Sequence, residues 1–94
     1  MVRKEKILIG TGFLLHDEIG GVYVHPDHQR NGVGRLVVDI LINKAKENRL
    51  NYVWLDSTPL AKSLYLNLGF SVHYGALQMI GNSPLHYFRM GKKI

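Results

Sequence analysis

The sequence contains no cysteine, and that absence removes several kinds of chemistry. The chain forms no disulfide and offers no thiolate ligand for zinc. A mechanism with an acylated cysteine is likewise excluded. His25 and His28 have the i, i+3 spacing of some metal ligands, but no helix is predicted beneath them, so we predict that no metal is bound.

Long hydrophobic runs are also missing. No run approaches the roughly 18 apolar residues that a transmembrane helix needs. The basic N-terminus is followed only by Ile7-Leu8-Ile9 and then glycine, which is too short for the apolar region of a signal peptide. We therefore expect a cytoplasmic protein that has no membrane partner.

The chain has 94 residues, of which 46% are hydrophobic and 20% charged. This composition is typical of one globular domain spanning residues 1–94, with a modest core. Domains of this size usually need a staple or a partner for stability.

Twelve lysines and arginines outnumber seven acidic residues, which gives a net charge of +5. The excess suits an anionic partner such as nucleic acid, anionic lipid or a phosphorylated small molecule, but a solvated basic surface explains it equally well. Arg3, Lys4, Lys92 and Lys93 resemble basic tails. Nucleic acid ranks last, because we find no recognition helix and no basic aromatic platform.

The first half of the sequence predicts two strands followed by a helix. Ile7–Leu15 is almost continuously apolar and predicts a strand covered on both faces. After a polar turn at residues 16–18, Ile19–His25 predicts a second strand, which Pro26 ends. A helix is then predicted from Val33 to near Asn48, with one apolar face formed by Val33, Leu36, Val37, Ile40, Leu41 and Ala45.

The second half predicts a short buried strand at Tyr52–Leu55 and then a helix that Thr58 caps and Pro59 begins. Its apolar stripe is Leu60, Ala61, Leu64, Tyr65 and Leu68, and Gly69 follows as the residue after the helix end. Two further strands are predicted at Phe70–Ile80 and Leu85–Met90. The order β-β-α-β-α-β-β predicts a mixed sheet of about five strands with helices packed on it.

A glycine-bearing loop, Gln29–Arg35, lies between the second strand and the first helix. A helix N-terminus presents unpaired N–H groups that bind phosphate, and Gly32 and Gly34 permit close approach. Arg35-Leu36 does not match the Lys-Ser/Thr of a Walker A loop, and two glycines after a polar loop do not match the Rossmann fingerprint. On spacing alone, a turn that merely starts a helix is equally acceptable.

The surrounding residues resemble the GNAT (Gcn5-related N-acetyltransferase) superfamily. The pattern Gln29-x-x-Gly32-x-Gly34 is similar to its acetyl-CoA motif, Gln/Arg-x-x-Gly-x-Gly/Ala. A second block, Ala61-x-x-x-Tyr65-x-x-x-Gly69-Phe70, is similar to a later helix of the family, in the same order and at the usual spacing. The resemblance runs from about Ile7 to the C-terminus and implies an α/β (α+β) GNAT-like fold.

The resemblance implies acetyl-CoA as the acyl donor and assigns residues to hold it. The strand before the loop splays from its neighbour in this family, and its free backbone groups pair with the pantetheine arm. The implied binding residues are Val22, Tyr23 and Val24 for that arm, Gln29, Arg30, Asn31, Gly32, Val33, Gly34 and Arg35 for the pyrophosphate, and Thr58, Ala61 and Tyr65 on the later block. Thr58 replaces the asparagine of many members and is also explained as a helix cap.

The implied function is an N-acetyltransferase in which a primary amine attacks the thioester directly through a tetrahedral intermediate. Tyr65 matches the tyrosine that often protonates the departing thiolate, although it is also explained as a core residue of the apolar stripe. Glu18 lies where some members carry the base that deprotonates the amine, directly or through water. A solvent-facing turn explains Glu18 equally well.

The chain departs from the family in lacking the initial β-α-α-β elements, which usually build much of the acceptor site. A natural minimal form, a truncated one and a form completed by a second subunit all remain open. Because Ile7–Leu15 would be an exposed edge, we predict a homodimer in which strands or the C-terminal hairpin are buried across the interface. The alternative function is a non-catalytic acetyl-CoA or CoA-binding module, and nucleic-acid binding ranks below both.

Overall fold

A computed structural model describes residues 2–4, 7–29 and 32–94 as a mixed sheet with two helices. The strands are β1 (Val2–Lys4), β2 (Ile7–Leu15), β3 (Glu18–Val24), β4 (Tyr52–Ser57), β5 (Ser71–Ile80) and β6 (Ser83–Lys93), and the helices are α1 (Val33–Glu47) and α2 (Lys62–Asn67). The six strands lie in the order β1-β2-β3-β4-β6-β5. Only β3 and β4 are recorded as a parallel pair among these strands. The predicted α/β (α+β) class and the β-β-α-β-α-β-β order are confirmed, with β1 added before them.

The strand β1 corrects two predictions. Arg3 and Lys4 were expected in a tail, but they pair with Leu8 and Ile7 of β2 in antiparallel register. The edge of β2 is therefore partly covered within the same chain. The outer edge at the other side of the sheet is β5.

The prediction that Ile7–Leu15 is covered on both faces is wrong. Gly10 and Gly12 face α1, whereas Phe13 and Leu15, which point to the other face, are 50% and 56% exposed. Successive side chains of a strand point to opposite faces, and the helices cover only one of them. A continuous apolar run does not reveal which face the helices leave open.

The helix α1 ends where predicted, but its buried face is rotated. Leu36 and Ile40 are 46% and 48% exposed, although they were expected in the core. Val38 and Ile42 are buried in their place, beside the expected Val33, Val37, Leu41 and Ala45. The apolar positions of this helix cover more of its circumference than the sheet can contact, so only packing selects the buried side.

The helix α2 begins later than predicted. Its N-cap is Ala61, while Thr58 belongs to the preceding turn, where its Oγ1 accepts the Ala61 N–H at 3.3 Å. The predicted end at Gly69 is correct, since Gly69 has φ +92°. The Gly69 N–H donates to Leu66 O at 3.1 Å and the Phe70 N–H to Tyr65 O at 3.0 Å, which is a Schellman motif.

Both helices pack on one face of the sheet. The core on this face joins Val38 of α1 and Tyr65 of α2 to Val53 and Leu55 of β4 and Met90 of β6. The alternate residues of β4, including Trp54 and Asp56, therefore point to the opposite face. The sheet thus has a helix-covered face and a face on which aromatic and charged side chains lie.

Candidate functional site

The strands β3 and β4 are paired at one end and separate from there. Their recorded register is the single pair Glu18 and Trp54. Asp17 fixes this closed end, because its carbonyl oxygen accepts the Trp54 N–H at 3.0 Å and its Oδ1 accepts the indole N–H at 3.0 Å. Beyond Glu18, β3 has no recorded strand partner on that side within the described residues. Its backbone groups there are available to a ligand.

A bulge reshapes β3 in this open region. Thr11 is opposite Tyr23, whereas Phe13 is opposite Gly20, so Gly21 and Val22 together face Gly12. Gly21 has φ +60°, and a Cβ there would lie 2.8 Å from the Phe13 ring. Only glycine fits this left-handed and crowded position without strain. The bulge redirects the backbone next to the gap between β3 and β4.

The N-terminus of α1 lies at the end of this gap. Its N-cap, Gly32, has φ +80°, and no side chain caps the helix. The Gly32 carbonyl accepts the Leu36 N–H at 3.0 Å, which leaves the N–H groups of Val33, Gly34 and Arg35 without helical acceptors. These groups and the positive end of the helix dipole are of the kind that binds anions. Arg30 and Asn31 were predicted to belong to it and lie outside the described residues.

Two glycines of β2 bring α1 close to the sheet. A Cβ on Gly10 would lie 2.6 Å from Val33 Cγ1, and one on Gly12 would lie 2.9 Å from Val37 Cγ1. The helix therefore rests almost directly on the β2 backbone. Because Val33 is the first residue of α1, the contact at Gly10 sets the position of the helix N-terminus.

A cavity of about 470 Å³, which we call the cleft, connects these features. It is lined by Val22, Val24, Gln29, Gly32, Gly34, Arg35, Thr58, Leu60, Ala61, Leu64 and Tyr65. The cleft thus unites most of the predicted binding residues from three separate segments of the chain. Tyr23 and Val33 do not line it, and Leu60 and Leu64 do so although they were expected only in the core. Leu60 is 96% exposed, and nothing in the helical spacing distinguishes it from a core residue.

Tyr65 lies at the inner wall of the cleft. Its side chain is 6% exposed, and its ring packs edge-on against Phe70 with 5.8 Å between centroids. Burial raises the pKa of the Tyr65 phenol above its ordinary value. Every buried side-chain nitrogen or oxygen of the described residues has a hydrogen-bond partner, and no bond to the Tyr65 hydroxyl is recorded. The hydroxyl oxygen is therefore exposed to the cleft. Because its pKa is raised, the phenol is protonated at neutral pH.

Glu18 occupies the closed end of the gap. It is half-buried and pairs with Trp54, and it is not among the residues that line the cleft. The structure therefore does not bring Glu18 and Tyr65 together in one cavity.

A second cavity of about 370 Å³, which we call the notch, lies on the other side of Thr58. The strand β6 runs past the end of β4, because Ser57, the last residue of β4, pairs with Phe88. The notch fills this step in the sheet and is lined by Asp56, Ser57, Thr58, Gln78, Leu85, His86, Tyr87 and Arg89. Thr58 lines both cavities, so they adjoin at the end of β4.

Arg89 is held in the notch by four side-chain contacts to three neighbours. Its Nε and Nη2 donate to the two carboxylate oxygens of Asp56 at 2.6 and 3.0 Å. The guanidinium also lies 4.2 Å from the centre of the Trp54 ring and 5.5 Å from that of Tyr74. Asp56 raises the pKa of Arg89, chiefly through their hydrogen bond, so the guanidinium keeps its positive charge against this carboxyl group.

Residues 2–4, 7–29 and 32–94 contain no group of three or more histidine or acidic side chains arranged to hold a metal ion. None of the helices found in these ranges is long and apolar enough to cross a bilayer.

Comparison with known proteins identifies the family. The sequence profile of the Acetyltransferase (GNAT) family matches residues 4–70. The chain therefore belongs to the GNAT acetyltransferase family. A comparison with curated protein sequences finds no match.

Solved structures agree with this fold. A GCN5-related N-acetyltransferase from Rhodopseudomonas palustris superposes with a TM-score of 0.91 at 22% identity, over 98% of this chain and 58% of its own. A ribosomal-protein-alanine N-acetyltransferase from Brucella melitensis gives 0.77 at 19% identity, over 99% and 66%. An acetyltransferase from Salmonella typhimurium, solved with its cofactor acetyl-CoA, gives 0.66 at 28% identity, over 82% and 48%. The chain thus spans about half to two thirds of the length of these proteins.

Proposed function

We propose that this chain binds acetyl-CoA in the cleft and transfers the acetyl group to a primary amine. The observation that carries the proposal is the course of the cleft, from the uncapped N-terminus of α1, along the unpaired side of β3, to Tyr65. Membership of the family supports acetyl transfer, and the Salmonella relative supports acetyl-CoA as donor. A cytoplasmic location and the absence of a metal stay predictions from the sequence.

The cleft offers a matching group for each part of the donor. The N–H groups of Val33, Gly34 and Arg35 bind the pyrophosphate, and the Arg35 side chain adds a positive charge. The free backbone of residues 22–24 pairs with the amides of the pantetheine arm, and one N–H there stabilises the developing oxyanion. Thr58 and Ala61 close the opposite wall. The family motif adds Gln29, Arg30 and Asn31 to the pyrophosphate loop.

The transfer needs a neutral amine and an acid. The amine nitrogen attacks the thioester carbon, a C–N bond forms and the C–S bond breaks. Tyr65 donates its proton to the departing thiolate, and its raised pKa keeps that proton available at neutral pH. The family resemblance assigns the base to Glu18. Since Glu18 does not line the cleft, it would act through water.

The proposal is tested by titrating acetyl-CoA in a calorimeter and then following free CoA with a thiol reagent in the presence of primary amines. The chain has no cysteine and gives no thiol background. We expect binding, release of CoA that depends on the amine, and weaker binding by Arg35→Glu. Lys44→Glu, on the same helix but in its last turn, is the matched charge control. Absence of binding would refute the proposal, while binding without turnover would leave the alternative, a non-catalytic CoA-binding module.

A homodimer is part of the same proposal, and we place its contact on the C-terminal hairpin, one of the surfaces expected from the sequence. The strand β5 forms one edge of the described sheet, and apolar residues of the β5–β6 hairpin are exposed to solvent: Leu77, Met79, Ile80 and Leu85 are 43–60% exposed. A long exposed apolar edge strand favours pairing with another chain. We therefore assign the dimer contact to β5.

A further inference from the structure

We infer that the notch receives the acceptor amine and that the His86 imidazole takes its proton. The inference rests on the proposed acetyl transfer and names the acceptor side of that reaction. It gives the role of the base to His86 in place of Glu18, which the family resemblance implies but which does not line the cleft. The cleft and the notch share Thr58, so a group in the notch can approach the inner end of the cleft without passing the pyrophosphate loop. A volume of about 370 Å³ accommodates a small primary alkylamine or the end of an amine-bearing side chain.

His86 is the group of the notch that is suited to accept a proton at neutral pH. The notch is also lined by the titratable residues Asp56 of β4 and Tyr87 and Arg89 of β6, and the residue opposite His86 on β5 is Leu77. Because side chains alternate along β6, His86 shares the helix-covered face with Phe88, over whose ring Lys62 of α2 lies at 4.4 Å, whereas Asp56 and Arg89 reach the notch from the other face. Both carboxylate oxygens of Asp56 accept hydrogen bonds from Arg89 and are therefore already engaged within the protein. His86 is exposed, and no hydrogen bond or ion pair is recorded for it within the described residues. A neutral imidazole is the usual general base near pH 7.

The ion pair of Asp56 and Arg89 also influences which protonation form of the acceptor amine the notch favours. Among the described residues that line the notch, Asp56 is the one carboxylic acid, and it is paired with Arg89. An ammonium ion entering the notch therefore finds no free counter-charge and gains little by staying protonated. The site favours the neutral amine, which is the form that attacks.

The proton balance is complete with these residues. The amine nitrogen forms the C–N bond and loses its proton to the His86 imidazole. The C–S bond breaks, and the thiolate takes the Tyr65 proton. The imidazolium then returns its proton to solvent, and Tyr65 regains one from solvent, so that one proton moves from amine to thiol overall.

The test compares two amines that differ in basicity. Ethylamine is mostly protonated at neutral pH, whereas 2,2,2-trifluoroethylamine is mostly neutral. We expect His86→Gln to lower kcat/KM for ethylamine by about 100-fold or more and to flatten the acidic limb of the kcat profile measured at saturating amine. The loss with trifluoroethylamine should be smaller, because that amine needs less help in losing a proton. The control is His16→Asn, an exposed turn residue at φ +54°, a conformation that asparagine tolerates.

An equal loss with both amines, or an unchanged acidic limb, would overturn the role of His86 while leaving acetyl transfer intact. A second readout does not depend on turnover. In the CoA-loaded protein, the His86 imidazole NMR signals should shift when ethylamine is added, and those of His16 should not. If the His86 signals stay fixed at saturating amine, the notch is not the acceptor site. Failure of acetyl-CoA to bind at all would instead refute the proposed function.

Discussion

Substitution of Gly10 by alanine should move the N-terminus of α1 and thereby weaken acetyl-CoA binding. The added Cβ would lie 2.6 Å from Val33 Cγ1, 3.1 Å from Val37 Cγ2 and 3.3 Å from Tyr23 O. Comfortable carbon contacts begin near 3.5 Å, so the first turn of α1 must retreat by about 0.9 Å. Valine is stiff about χ1 and cannot swing its methyl group aside.

The expected cost has two parts. Overpacking of this kind lowers the free energy of unfolding by about 1–3 kcal/mol. The retreat also draws the N–H groups of the first turn away from the pyrophosphate. Loss of one charge-assisted hydrogen bond costs about 1.5–3 kcal/mol, which corresponds to at least about tenfold in the dissociation constant.

Denaturant titration measures the first part and calorimetry with acetyl-CoA the second. Gly12→Ala is the matched control, because its Cβ would meet Val37 Cγ1 at 2.9 Å and the flexible end of Leu41 at 3.0 Å, away from the helix N-terminus. It should destabilise the fold with little change in affinity. The double variant Gly10→Ala/Val33→Ala removes the clashing methyl group and should recover binding. Wild-type affinity in Gly10→Ala, or no recovery in the double variant, would refute the reasoning.

Three further outcomes are expected. Tyr65→Phe should lower kcat more than acetyl-CoA affinity. Because burial raises the Tyr65 pKa, the stability that this phenol contributes is complete below the ordinary tyrosine pKa of about 10 and is lost as pH rises through the higher folded value. The variant should therefore lose less stability than wild type above pH ~10, and equal alkaline stability profiles would contradict this. Gly32→Ala has open space around its Cβ, but the backbone there has φ +80°, so the variant should lose about 1–2 kcal/mol of stability and also bind acetyl-CoA more weakly. Gly32→Asn should recover the stability but not the affinity. Undiminished binding by both variants would contradict the role of this loop in binding the pyrophosphate. Met79→Lys, at an exposed site on β5, should convert a dimer into a monomer in light scattering at micromolar concentration, and a monomeric wild type would remove the dimer proposal.

Features encoded in neighbouring residues could be predicted from the sequence. The end of α2 depends on Gly69, whose left-handed backbone closes a motif of consecutive residues. The motif from Gln29 to Gly34 predicted a phosphate-binding helix N-terminus, and three of its residues line the cleft. Local conformational preference and a short motif contain this information, because no distant partner is needed to realise it.

Other features were decided only when distant segments met. The rotation of α1 that buries Val38 and exposes Leu36 depends on which side reaches the sheet, and the pairing of β1 depends on β2. The apolar spacing could not separate Leu60, at the rim of the cleft, from a core residue.

The amino-acid sequence by itself determined the family, the order of the elements and the loop that begins α1. Only the tertiary structure decided where β3 separates from β4 and which residues surround the notch at the end of β4. Asp56 and Arg89, 33 residues apart, become neighbours because β4 and β6 pair in antiparallel register. His86 enters the same notch because β6 continues where β4 stops. Strand pairing joins residues that are distant along the chain, and a local sequence pattern does not show which strand will be the partner or in which register.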